Sequence, residues 1–180
     1  MRAGSGWAPS GRNASSISAS ELKADGIEAA GFPADLTDRS TLPDLISAIT
    51  ARCGQITVLQ YAPAGPDRMS RQTDVRQCGA ESFEFPLDLL LRTPAELIRR
   101  LLPTCWPAAS AASCSDSRPP PPGRTPQLAN AGAAARAYLE CLHVSLPGTG
   151  VHAGLLQVGG MVANSDSARV AGARRPSPTP

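Results

Sequence analysis

Leu42, Leu45, Ile46 and Ile49 recur at the three- and four-residue spacing of a single helix face. Thr41 and Asp44 have the form of a capping box and Cys53-Gly54 closes the segment, so a helix is predicted from about 41 to 53. Ile56-Thr57-Val58-Leu59-Gln60-Tyr61 follows at once. It is a run of β-branched, aliphatic and aromatic residues that predicts a buried strand. A second helix is predicted over 93–102. There Thr93 serves as cap, Pro94 takes the first helical position, Glu96 completes the capping box, and Leu97, Ile98, Leu101 and Leu102 form the apolar face before Pro103. Leu128, Ala131, Ala135, Leu139, Leu142 and Leu146 trace a third helix face.

Weaker signals fill the remainder. Ile17 to Asp25 predicts a short helix stopped by Gly26, and Ile27 to Ala34 a short strand. Residues 62–82 are polar and are expected to form a loop. Val151 to Val158 predicts a last strand. Residues 107–126 contain no aliphatic side chain larger than alanine and run into a proline cluster, which predicts an irregular insert or a damaged strand. Strands alternating with helices imply right-handed crossovers and a parallel sheet. The expected fold class is α/β, an incomplete Rossmann-like doubly wound sheet with helices on both faces.

Composition bounds this picture. The 180 residues suffice for one domain, with 42% hydrophobic but only 4% aromatic residues, so the core is aliphatic and alanine-rich. A net charge of +2 is too mild to argue for nucleic acid. The first residues, Met1 to Ser20, carry no apolar stretch of the secretory kind, and no segment reaches the roughly 20 apolar residues of a membrane helix. Cys53, Cys78, Cys105, Cys114 and Cys141 are odd in number and show no Cys-x-x-Cys spacing. These points predict a cytoplasmic protein with free thiols.

Gly11-Arg12-Asn13, then Asp35-Leu36-Thr37-Asp38 behind a predicted strand, then a helix ending Cys53-Gly54 and the strand Ile56-Thr57-Val58-Leu59 resemble a short-chain dehydrogenase/reductase. Leu101-Leu102-Pro103, the alanine-rich helix after Pro126-Gln127-Leu128, and Gly150-Val151-His152-Ala153-Gly154 extend the resemblance, which covers roughly residues 11–165. Residues 1–10 then read as an unstructured remnant of a shortened amino terminus, and 166–180 as a disordered tail. The resemblance implies an NAD(P)-dependent oxidoreductase, with NADP as the cofactor. In the family an arginine at the place of Arg12 meets the adenosine 2′-phosphate, for which a guanidinium fork is well suited. An aspartate at the place of Asp35 accepts from the adenine amino group, with Leu36 beside the ring. Tyr61 and Ala62 occupy the turn that lines the cofactor, and Val162 falls near the nicotinamide.

The departures from the family pattern bear on catalysis. Gly4-Ser5-Gly6 lacks the further glycine of a phosphate loop and has no strand before it. Lys23 is the only lysine, and four residues after Tyr61 and Tyr138 stand Gly65 and Leu142, so no Tyr-x-x-x-Lys exists. Leu128 and Gly132 occupy the two matching places, and neither moves a proton. Ser115 falls where the family places its substrate-polarising serine. Catalysis is therefore expected to be impaired or absent. The alternative expectation is a non-catalytic remnant that binds a partner strand, forms a homo-oligomer, or does not fold stably alone.

Two further patterns read as ordinary structure. Gly148-Thr149-Gly150-Val151-His152-Ala153 loosely matches a dinucleotide fingerprint but follows a helix and opens a strand, so it is expected to be a helix-stop turn. Cys141, His143 and His152 lack a fourth ligand at usable spacing, and no metal is expected.

Overall fold

The structure is a computed structural model and describes residues 22, 24–63, 73–103, 110–115 and 126–157, with the backbone alone for 110–115 and Gln157. Three strands, β1 (Val58–Tyr61), β2 (Ser110–Ser115) and β3 (His152–Gln157), form a parallel sheet in the order β1-β2-β3. Ser110 lies between Val58 and His152, and Ala111 between Leu59 and Ala153.

The middle strand places part of the segment expected to be an irregular insert or a damaged strand in the sheet. Ser110–Ser115 is paired on both sides. A central strand is fixed by main-chain bonds to two neighbours, and its preference for large side chains depends on context. Residues 27–34, expected to be a strand, join no ladder among the described residues. Gly31 and Pro33 weaken the segment, the latter by lacking a donor.

Helix α1 (Leu42–Cys53) forms as expected, and Gly54 ends it at φ 80° with its N–H on the Thr50 carbonyl. The capping box does not form: Thr41 makes no side-chain cap, and its hydroxyl turns back to the Asp38 carbonyl at 2.9 Å. Asp38 instead accepts from the Ser40 N–H and hydroxyl, ahead of a short 3₁₀ turn over Arg39–Thr41.

The next helical stretch begins well before Thr93. A 3₁₀ turn over Ala80–Phe83 leads into α2 (Glu84–Leu87), one π-helical turn over Asp88–Arg92, and α3 (Thr93–Leu101). Thr93 is thus interior to a continuous helix rather than its cap. Pro94 would drive its ring into the Leu90 carbonyl in a regular α-helix, and the wider π turn accommodates it. Thr93 is fully buried, and its hydroxyl donates to the Leu36 carbonyl at 2.6 Å. Helix α4 (Pro126–Ser145) buries Ala131, Ala135 and Leu139, four residues apart. It ends in a turn with Gly148 at φ 81° and Gly150 at φ 76°, the helix stop expected there.

Among the described residues, the helices that pack on the sheet use one face of it. Leu59 and Tyr61 pack with Leu42, Leu45 and Ile46 of α1 and with Leu97 and Leu101 of α3. Ala153 packs with Leu142 of α4 and with Leu102, Leu146 and Val151. On the opposite face Val58 and Leu156 are 59% and 61% exposed, and Gln60 and His152 are exposed too. The expectation of helices on both faces is therefore met on one face among the described residues. Each strand is added on the same side of the last, and right-handed crossovers then place every connecting helix in one layer.

Candidate functional site

Parallel pairing brings the carboxyl ends of all three strands to one edge of the layer, where open α/β sheets bind ligands. The register sets Tyr61 beside Ser113, and Ser115 beside Gln157. Ala62 is exposed just beyond β1. The loop carrying Asp35 and Leu36 joins this end, because Leu36 packs against the cluster of Leu42, Tyr61 and Leu97 and also against that of Leu89, Leu90 and Ala131. Of the cofactor residues expected from sequence, Asp35, Leu36, Tyr61 and Ala62 are placed. Arg12 and Val162 lie outside the described residues, as do Gly4 to Gly6.

Asp35, Leu36 and Tyr61 are engaged in the protein's own structure. Asp35 is exposed, and its Oδ1 accepts from the Thr37 N–H at 2.9 Å and the Thr37 hydroxyl at 2.7 Å, an Asx turn that shapes the loop. Leu36 turns into the core. Tyr61 is buried, with its hydroxyl on the Leu89 carbonyl at 2.5 Å, so its phenol serves the core and only its backbone borders the strand end. An adenine donor would have to share the Asp35 carboxylate with Thr37.

At the catalytic positions, Ser115 is the last residue of β2. Leu128 is half-buried in the first turns of α4, against the cluster of Leu89, Leu90 and Ala131, and Gly132 is buried one turn on. Sequence reasoning passed over their neighbour Gln127. Its side chain is 1% exposed; Nε2 donates to the Thr73 carbonyl at 2.9 Å and contacts Cys78 Sγ at 2.8 Å, while Oε1 is buried without a partner among the described residues. A polar residue on the second position of an apolar helix was the only available signal.

Charge around the helices is arranged in local pairs. Arg92 pairs with Glu84 at 2.7 Å and Asp88 at 3.0 Å, and Arg39 also bonds Asp88. The hydrogen bond from Arg99 holds Glu96 down at about 2, with a further bond from Arg100 acting the same way against partial desolvation. At the other end of the layer a shallow open groove of about 320 Å³ runs between α4 and β3, with Leu139, Val144, Ala153 and Leu155 in its lining. His143 and His152 meet edge to face beside it, and among the described residues no three His, Cys, Asp or Glu side chains gather as a metal site. No helix among the described residues is long and apolar enough to cross a membrane.

No family model matches the chain, and no curated protein matches it in sequence. Solved structures do match in fold. A dehydrogenase/reductase from Sinorhizobium meliloti 1021 is similar at TM-score 0.75 and 16% identity, over 92% of this chain and 66% of that one. An alcohol dehydrogenase from the archaeon Thermococcus sibiricus, complexed with 5-hydroxy-NADP, is similar at 0.69 and 16%, over 84% and 63%. A short-chain dehydrogenase/reductase from Burkholderia phymatum, in complex with NAD, is similar at 0.67 and 17%, over 79% and 51%. The fold is thus that of the short-chain dehydrogenase/reductases, and this chain spans about two thirds or less of the length of these structures.

Proposed function

We infer that the chain is a nicotinamide-dinucleotide-binding protein of short-chain dehydrogenase/reductase type in which proton transfer is impaired or lost. The observation that carries this reading is the parallel ladder that sets the ends of β1, β2 and β3 side by side, with the Asp35–Leu36 loop packed against the first of them. Arg12, Asp35, Leu36, Tyr61, Ala62 and Val162 are the proposed cofactor residues, and NADP the proposed form, on the strength of the Arg12 guanidinium. When bound, the dinucleotide supplies a hydride donor or acceptor. Asp35 would share its carboxylate between the loop and the adenine, and Ala62 would leave room beside the strand end.

Ser115 is the proposed polarising hydroxyl. With Leu128 and Gly132 in the acid/base positions, a bound carbonyl would be held without a proton donor. The exposed face of Val58, Gln60, His152 and Leu156 is where the second helical layer of a doubly wound sheet would lie. The free thiols of Cys53, Cys78 and Cys141 suit the cytoplasm. A titration of the full chain with NADPH, followed by a search for carbonyl-dependent NADPH oxidation, tests the reading. Saturable binding without turnover supports it, absent binding overturns it, and turnover above background overturns its catalytic half.

A further inference from the structure

Two side chains from one stretch of helix reach the loop that carries Asp35. Thr93 is fully buried, and its hydroxyl donates to the Leu36 carbonyl at 2.6 Å. The Asp88 carboxylate accepts from Arg39, the first residue of the 3₁₀ turn that follows Asp38. Between these two points Leu36 packs against the cluster of Leu42, Tyr61 and Leu97 and against that of Leu89, Leu90 and Ala131. The loop is thus held by its main chain, by its apolar side chain and at its far end. The π turn is what lets one stretch of helix do this. In a regular α-helix, residues five apart point about 140° apart. Here the Thr93 N–H bonds the Asp88 carbonyl, five residues back, and the wider turn swings the two side chains toward one side.

We propose that Thr93 and Asp88 are positioning residues, which fix the 35–39 loop in the form that takes an adenine ring. This role rests on the dinucleotide reading and adds to it two residues that need not touch the ligand. The direction of the Asp35 carboxylate is set by its turn with Thr37, and that turn is anchored at Leu36 by Thr93 and at Arg39 by Asp88. A ligand that meets a loop already ordered does not bear the entropy of ordering it. Thr93 is the stronger anchor because it is buried, whereas Arg39 and Asp88 are partly exposed and their attraction is screened by water.

Calorimetric titration of the full chain with NADPH and with adenosine monophosphate tests the role. Thr93→Val keeps the shape and removes the hydroxyl. It should weaken both probes by the same factor, on the order of tenfold, and Thr93→Ser should recover the loss. Asp88→Asn should act in the same direction but less, and it carries the test where Thr93→Val does not fold. Glu84→Gln removes the other carboxylate of Arg92 and should change neither affinity. Hydrogen exchange reads the loop without any ligand. The Thr37 and Ser40 amides, bonded to Asp35 and Asp38, should exchange faster in Thr93→Val while the amides of α1 keep their wild-type rates. A wild-type chain that binds neither probe would overturn the dinucleotide reading and this role with it. Binding that Thr93→Val leaves unchanged, a loss that Thr93→Ser does not recover, or loop amides that keep their wild-type rates in Thr93→Val would overturn the role alone.

Discussion

The hydroxyl of Tyr61, at the end of β1, donates to the main-chain carbonyl of Leu89 in the π turn at 2.5 Å. The bond has a local cause. In a regular helix the Leu89 carbonyl would accept from the Thr93 N–H, but that N–H goes back to Asp88. The next donor along would be Pro94, which has none. A buried carbonyl without a partner costs free energy, and the phenol of a strand residue fills the vacancy. Proline, π turn and tyrosine thus form one unit joining the sheet to the helix layer.

Tyr61→Phe should therefore destabilise the fold by about 1–3 kcal/mol, the penalty of leaving a buried acceptor unpaired. Pro94→Ala returns a main-chain donor to the helix, so in that background the same Tyr61→Phe change should cost clearly less. Denaturant unfolding of the four proteins in this cycle checks the prediction. Equal costs in both backgrounds would separate the proline from the tyrosine.

Glu96 gives a pH signature. Its folded value of about 2 lies below its ordinary 4.5, because Arg99 and Arg100 bond the ionised form. A depressed carboxyl favours the folded state above its unfolded value, so this contribution is fully present above pH 4.5 and fades as the pH falls toward 2. Glu96→Gln should lower the melting temperature at neutral pH, with the gap to wild type closing below pH 4.5. A gap of constant size down to pH 2 would contradict the assignment.

Gln127 is held by donation, since Nε2 reaches the Thr73 carbonyl while Oε1 finds no donor among the described residues. Gln127→Glu keeps the shape but removes that donor and places a carboxylate where nothing solvates it. The variant should lose about 3 kcal/mol at pH 7. Burial raises the new carboxyl in the folded state, so stability should recover as the pH falls and it takes up a proton. Unfolding curves at pH 7 and pH 4.5 check this.

The elements that sequence made legible are those with a strong period. Leu42 to Ile49 and the alanine-leucine face of 128–146 were placed to within a few residues, because a one-sided apolar stripe of that length has one good solution. Where two main-chain signals compete, local reading failed. Thr93-Pro94 resembles a helix start, yet the Thr93 hydroxyl serves the Leu36 carbonyl and the helix runs through the proline. Ser110–Ser115 carries no strand signal in its side chains and is held by its two neighbours. The same limit applies to the site. Asp35 was legible as a loop carboxylate, but its engagement by Thr37 is a matter of loop geometry, and Gln127 becomes visible only through its burial.

The strand-end site is proposed to take a nicotinamide dinucleotide. It is tested most directly by titrating the purified full chain with NADPH and with NADH, read by fluorescence and by the thermal melt. Saturable binding with NADPH preferred is expected, with a melt that rises with ligand as linkage requires. A cooperative melt that neither dinucleotide moves, with no fluorescence change, would contradict it.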